Sequence, residues 1–214
     1  QNYSKYRFKN IFLLTCYKSK EIINKFHKNY YNFTLINCFK EKKLMGTGGA
    51  LNILKKKKLN DFILINGDTF LNVDLSKLIK SCGKNNFGSL TLVKNKSYKS
   101  NKKLITMDLN QGRVVFKNSG SFMNGGVYFF KRKFLKFIKN KNLSLENEIL
   151  PNLINKGKIS GIATSSFFLD IVTPNNFMSA KKLLLKNCSK PAAFLDRDGV
   201  INHDTGYVHK FRDF

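Results

Sequence analysis

Residues 44–68 read LMGTGGALNILKKKKLNDFILINGD, and that stretch decides the fold. Its first part, Gly46-Thr47-Gly48-Gly49, is a glycine-rich loop entering a helix that runs to about Lys57. Such a loop brings backbone N–H groups close to a ligand with no side chain in the way, and it lets a flat base lie on the backbone. The loop is neither GxxxxGK[ST] nor GxGxxG, so taken alone an ordinary turn is the favoured account of it. The second part, Phe62 to Ile65, is an apolar run of strand length that ends in Asn66-Gly67-Asp68. Asp68 therefore falls at the C-terminal end of a buried strand, where open α/β sheets bind their ligands.

Outward from this stretch, strand and helix alternate. Ile11 to Thr15 predicts a strand and Ser19 to Lys28 a helix with Ile22, Ile23 and Phe26 on one face; Phe33 to Asn37 is the next strand. Beyond Asp68, Asp74 has the place of an N-cap for a helix from Leu75 to Lys80. Leu90 to Val93, Leu104 to Leu109, Arg113 to Phe116 and Val127 to Phe130 read as strands, with Asn110-Gln111-Gly112 as a hairpin turn. Ser144 can cap a helix over 145–155, Ile159 to Thr164 and Phe167 to Leu169 are strands, and Thr173-Pro174 opens a last helix with Pro at its first position. The alternation implies an α/β fold with a mainly parallel, mixed sheet covered by helices. Asp170, after Phe167-Phe168-Leu169, is a second acidic residue at a strand end. In a chain with 13 acidic residues, Asp68 and Asp170 are candidates for one Mg²⁺ site holding nucleotide phosphates, against the plainer reading of each as a cap or turn residue.

In order, L-M-G-T-G-G-A-L (44–51), I-N-G-D (65–68), M-N-G-G-V-Y-F-F (123–130), S-L-E-N-E-I-L-P (144–151) and F-L-D-I-V-T-P (168–174) resemble the sugar-1-phosphate nucleotidyltransferases. The likeness is to the mannose- and heptose-1-phosphate guanylyltransferase branch and spans about residues 8–185. It implies a Rossmann-like nucleotide-diphospho-sugar transferase fold and the reaction of a nucleoside triphosphate with a sugar 1-phosphate, giving an NDP-sugar and pyrophosphate. Carried across by motif, Gly46, Thr47, Gly48, Gly49 and Asp68 would bind the nucleotide, Asn124, Gly125 and Glu146 would face the sugar, and Asp68 with Asp170 would hold Mg²⁺. The sequence departs from the family in two places within this span: Lys117-Asn118-Ser119 stands where the family has a Glu-Lys pair, and Val172 replaces the glycine of D-I-G-T-P. The family's GGxGTRL signature would lie before Gln1, which leaves the triphosphate clamp outside residues 1–214 on this reading.

Near the other end, Ala192 to Leu195 is an apolar strand running into Asp196-Arg197-Asp198-Gly199. Two carboxylates two residues apart on a tight strand-to-loop turn suit phosphoryl transfer: one can attack phosphorus, the other can protonate the leaving oxygen, and both can face one Mg²⁺. A glycine turn with two solvated aspartates is the plain alternative. FLDRDGVIN followed by GYVH (194–202 and 206–209) resembles the first motif of the haloacid dehalogenase phosphatases acting on heptose bisphosphate or histidinol phosphate. That resemblance implies Asp196 as nucleophile, Asp198 as general acid/base, both at a Mg²⁺, and a second domain over 188–214 after a transferase domain over 1–187. The later phosphatase motifs would lie beyond Phe214, so residues 1–214 alone would complete neither centre. Together the two resemblances imply a bifunctional enzyme of NDP-heptose type, with nucleoside triphosphate and sugar phosphate as substrates.

The formal charge of +26 raises nucleic acid as a rival partner. Only Arg7, Arg113, Arg132, Arg197 and Arg212 of the 39 basic residues are arginine, the lysines are scattered rather than gathered in a stripe, and no nucleic-acid module is recognisable. A lysine-rich solvated surface is the simpler account, and neither nucleic acid nor a membrane is expected as partner. A transferase domain kept only for a structural or regulatory role is the other rival. Cys16, Cys38, Cys82 and Cys188 form no metal-ligand spacing, which fits reduced thiols in the cytoplasm.

Overall fold

The computed structural model describes residues 6–188 apart from residues 32, 58, 95–105 and 119. Two compact units cover residues 1–172 and 173–214. The first begins with β1 (Asn10–Thr15), α1 (Ser19–Phe26), β2 (Tyr30–Tyr31) and β3 (Thr34–Lys40). β3 is the centre of a three-stranded sheet, parallel to β1 and antiparallel to β2. The chain then enters α2 (Gly46–Gly49), which continues as a 3₁₀ turn over Ala50–Lys56, and β4 (Phe62–Ile65), β5 (Thr69–Leu71), α3 (Leu75–Lys80) and β6 (Gly88–Lys94) follow. β7 (Met107–Asn110) and β8 (Arg113–Phe116) form the expected hairpin, and β9 (Phe122–Phe130) is the longest strand. A π-helical turn over Leu145–Ile149 leads into α4 (Leu150–Asn155), then β10 (Ile159–Thr164) and β11 (Phe168–Asp170).

The main sheet has the order β4-β9-β6-β10-β8-β7, and β5 pairs with β11 in a separate ladder. The sheet is mixed, but its antiparallel ladders outnumber the parallel ones expected from the strand–helix alternation. β6 and β10 run parallel, whereas β9 runs antiparallel to both β4 and β6 and the β7–β8 hairpin turns back on itself. The alternation rule fails there because β7, β8 and β9 follow one another through short connections with no helix between them, and a hairpin needs no helical crossover.

β6 and β9 are largely buried on both faces, so their apolar residues fall on both faces too and the polar ones inside, Ser89 and Thr91, bond to backbone carbonyls. Period two still sorts them. Leu90, Leu92, Tyr128 and Phe130 join one core with Phe134, Leu145 and Leu153, while Val93, Val127 and Phe129 join the other with Leu71, Leu75 and Leu78. In the first core Tyr128 stacks on Phe130 at 5.7 Å between ring centroids, and Phe130 on Phe134 at 3.8 Å. Each such buried aromatic contributes about 1.5–3 kcal/mol by burial. The sheet thus has covered faces, and the Asn66-Gly67-Asp68 loop leaves it at the C-terminal end of β4.

Two capping expectations are met. Asp74 accepts from the Ser76 and Lys77 N–H groups at the start of α3. Ser144 accepts from Asn147 N at 3.0 Å, and Glu148 Oε1 reaches back to Ser144 N at 2.9 Å. That is a capping box with one extra residue, because the turn it opens is π rather than α.

In the second unit, Thr173 accepts from Asn176 N and opens α5 (Pro174–Cys188), with Pro174 at its first position as expected. The sequence from Lys186 to Lys190 reads as a linker, but Lys186 to Cys188 still belong to this helix. The expected domain boundary at 187/188 falls at its end. Residues 189–214, with Asp196 and Asp198, lie outside the described residues. Among the described residues no helix is long and apolar enough to cross a membrane.

Candidate active site

Asp68 and Asp170 are 102 positions apart in the sequence and come to the same end of one short ladder. β4 ends at Ile65, the chain turns through Asn66-Gly67-Asp68, and β5 starts at once. β5 pairs antiparallel with β11 so that Thr69 faces Asp170, and one step beyond the ladder Ile171 N donates to Asp68 O at 3.0 Å. The Asp68 side chain is exposed, with Thr69 Oγ1 at 3.4 Å. Asp170 is half-buried, and its Oδ1 accepts from Val172 N at 2.9 Å. Val172, in the place of the family's glycine, thus closes a small turn over the carboxylate and leaves its own side chain 61% exposed. Among the described residues no cluster of three or more His, Cys, Asp or Glu could hold a metal by itself. A pair of hard carboxylate oxygens suits a hard divalent cation whose other positions are filled by phosphate oxygens and water.

The glycine-rich segment does something different from what its sequence suggests. Gly48 N and Gly49 N donate to Leu143 O at 2.8 and 3.0 Å, so these two N–H groups are occupied by protein. Gly48 and Gly49 are buried, and a Cβ on Gly49 would stand 2.3 Å from Lys141 O, one on Gly48 2.7 Å from Ile149 Cδ1. Glycine is required here so that residues 141–145 can lie directly against the turn. Gly46, at φ +69°, and the exposed Thr47 are the part of the segment that keeps surface toward solvent.

That close approach brings Glu146 to Thr47. Thr47 Oγ1 donates to Glu146 Oε2 at 2.5 Å and accepts from Leu145 N at 3.0 Å. The second Glu146 oxygen faces Tyr128, whose hydroxyl lies 3.5 Å from Oε1. Tyr128 in turn is bonded by Asn124 Nδ2 at 2.7 Å, and Asn124 Oδ1 accepts from Gly126 N at 3.0 Å. Asn124 and Tyr128 would lie about 13 Å apart along a regular strand. Here β9 is bulged: Tyr128 faces Leu90 while Asn124 faces Leu92, so four steps on β9 match two on β6. Gly125 and Gly126 fill the bulge, Gly125 with no room for a Cβ beside Thr91 Oγ1 at 2.6 Å, and Gly126 at φ +71°. Gly126 O also accepts from Asn66 N at 2.9 Å, which ties the bulge to the loop that carries Asp68.

The structure therefore joins the expected sugar-side residues Asn124, Gly125 and Glu146 in one network with Thr47, and it brings the backbones of Asp68 and Asp170 to one end of the β5–β11 ladder. Lys117, which precedes Asn118-Ser119 where the resemblance expects a Glu-Lys pair, is paired with Asp108 at 3.2 Å. Sequence reasoning passed over Tyr128 and Asn66, which lie inside the quoted motifs; their polar atoms converge on the same network, and a tyrosine within an apolar run reads only as core.

No model of a protein family matches the chain. It is 29% identical over 181 residues to the D-glycero-alpha-D-manno-heptose 1-phosphate guanylyltransferase of Aneurinibacillus thermoaerophilus, covering 81% of this chain and 77% of that protein. It is 30% identical over 189 residues to the bifunctional protein GlmU of Methanococcus aeolicus, covering 83% of this chain but 44% of that protein, so it spans less than half of that relative's length. Among solved structures it resembles HddC from Yersinia pseudotuberculosis complexed with GMP-PN, with a TM-score of 0.68 and 24% identity over 85% of this chain and 81% of that one. The chain has the α/β nucleotidyltransferase-like fold, with its mixed sheet.

Proposed function

We propose that this chain transfers a nucleotidyl group to a sugar 1-phosphate, releasing pyrophosphate, and that its substrates are GTP and a heptose- or mannose-type 1-phosphate. The observation that supports the reading is that Asp68 and Asp170 lie at one end of the β5–β11 ladder and that Asn124 and Glu146 meet at Tyr128. The similarity to heptose-1-phosphate guanylyltransferases supports the choice of base and sugar.

In this reading a phosphate oxygen of the sugar 1-phosphate attacks the α-phosphorus in line, the α–β bridging oxygen leaves with pyrophosphate, and no covalent enzyme intermediate forms. Catalysis is then positioning and charge neutralisation. Asp68 and Asp170 would hold a divalent cation, Mg²⁺ by preference, which supplies neutralisation of the phosphate charge when bound. Gly46 and Thr47 border the nucleotide, with Gly48 and Gly49 holding the turn in shape. Asn124 and Glu146 take sugar hydroxyls, with the Gly125 backbone leaving room beside them.

The same proposal extends to the C-terminal stretch. Residues 188–214 begin a haloacid dehalogenase-type phosphatase with Asp196 as nucleophile and Asp198 as acid/base at a second Mg²⁺. A phosphatase that removes the distal phosphate of a sugar bisphosphate leaves the 1-phosphate that the transferase consumes, in the cytoplasm where both substrates occur. The test, made on the full-length protein, is pyrophosphate release from GTP with α-D-mannose 1-phosphate and with a heptose 1-phosphate as acceptors. Release that is independent of added sugar phosphate, or none with either acceptor, would sink the transferase reading. Asp196→Asn should leave that release intact while abolishing phosphate release from a sugar bisphosphate.

A further inference from the structure

Three of the quoted motif segments meet at one buried phenol to which the reaction assigns no part, and a fourth reaches it through Glu146. Tyr128 is 0% exposed, stacked on Phe130 in the first core. Its oxygen accepts from Asn124 Nδ2 at 2.7 Å and from the Asn66 side chain, and its proton is directed at Glu146 Oε1. A tyrosine hydroxyl has one proton to give and two lone pairs to accept with, so all its capacity is used. Because both acceptor positions face amide N–H groups, the proton is left for the carboxylate and has no alternative partner.

The consequence for the neighbours is directional. Asn124 has its carbonyl on Gly126 N and its amino group on Tyr128, so the carboxamide cannot turn over without breaking both bonds. Glu146 receives Thr47 at 2.5 Å on one oxygen, and the Tyr128 hydroxyl faces the other at 3.5 Å, a long contact that orients the carboxylate from its buried side. Burial, and then the nearby Glu146 charge, push the Tyr128 hydroxyl above its ordinary range, so it keeps this proton.

We propose that Tyr128 is the positioning residue of the sugar side: it touches no substrate, and it holds Asn124 and Glu146 in the orientation that receives the hydroxyls of a polyhydroxylated acceptor. This rests on the assignment of Asn124 and Glu146 to the sugar. It adds that recognition there is set by a buried hydroxyl behind the binding groups, so the acceptor's hydroxyls meet a preformed array of one amide and one carboxylate.

The decisive variant is Tyr128→Phe, which keeps the ring and its stacking and removes the hydroxyl alone. With GTP and α-D-mannose 1-phosphate, KM for the sugar phosphate should rise tenfold or more, while KM for GTP and kcat stay within about threefold, since the loss is of binding shared by ground and transition states. If Tyr128 acts through Glu146, the double variant Tyr128→Phe, Glu146→Gln should be no worse than Glu146→Gln by more than about twofold. A KM unchanged for sugar phosphate, equal effects on both substrates, or additive losses in the double variant would overturn the proposal. The crystal structure of Tyr128→Phe supplies a readout free of activity: the side chain of Asn124 or Glu146 should leave its present rotamer, and both remaining in place would overturn the proposal as well. Should the unmodified enzyme transfer to no sugar 1-phosphate, the transferase reading fails, and the rotamers of Asn124 and Glu146 still decide whether Tyr128 positions them.

Discussion

The Tyr128 network and the Asp68–Asp170 corner lie at two ends of the same Asn66-Gly67-Asp68 loop and are built in opposite ways. Around Tyr128 every bond is made within the protein: the phenol is buried, two carboxamides and a carboxylate are tied to it, and a bulge and two glycines exist to bring them together. At the corner, Asp68 is exposed with a single long contact to Thr69, and Asp170 is only half-buried. The difference follows from what each place has to bind. Neutral hydroxyls discriminate only against groups already fixed and dry, because an unpaired buried polar atom costs about 1–3 kcal/mol. A cation with its phosphates brings its own charge and water, so the carboxylates that meet it can stay near the surface.

The comparison breaks first at the corner. Asp68→Asn and Asp170→Asn should each lower pyrophosphate release by roughly 10²–10⁴-fold, and chelation of divalent cations should do the same to the unmodified enzyme, with recovery on adding Mg²⁺ back. Near-normal rates in both variants would remove the corner from the reaction. At the network, Glu146→Gln should act more mildly and on one substrate, raising KM for the sugar phosphate by roughly 10–100-fold at unchanged KM for GTP. Parallel changes in both constants would mean that Glu146 orders the whole site.

Two smaller effects concern how the network is held. Ser144→Ala removes the cap of the π turn that carries Glu146 and should cost about 1 kcal/mol in chemical denaturation, with little change in the solvent-exposed corner. Above pH 10 the raised Tyr128 pKa gives a further signature. The folded state keeps a proton that the unfolded chain, near the ordinary tyrosine value of about 10, gives up, so stability is intact below that pH and is lost progressively as pH rises above it. Denaturation midpoints across pH 9–11 should fall less steeply in Tyr128→Phe than in the unmodified protein. Identical slopes would show that Tyr128 titrates like an exposed phenol.

Much of this architecture could be read from sequence, and the failures have physical causes. β1, β4, β8 and β10 match their apolar runs because each is a plain strand with a turn signal at either end. β9 was expected only from Val127, since Asn124-Gly125-Gly126 reads as a breaker; in the fold the glycines bulge the strand without ending it. β2 and β5, of two and three residues, are shorter than any period can mark. The acidic pair was legible because a carboxylate at a strand end is a local feature. The glycine-rich segment misled because sequence shows that a backbone is open to close approach and does not show what approaches. There it is Leu143 O, from a segment almost a hundred residues later.

The π turn over Leu145–Ile149 has a consequence of a different kind. A π turn is an α-helix with one residue too many, and each residue advances a helix by about 100°. Removing Asn147 would let the turn relax to ordinary pitch and would restore the usual spacing between Ser144 and the glutamate of its capping box. It would also swing the Glu146 side chain away from Thr47 and Tyr128. This segment should therefore tolerate many replacements of Asn147 and resist its deletion, so its length constrains it more than its composition does.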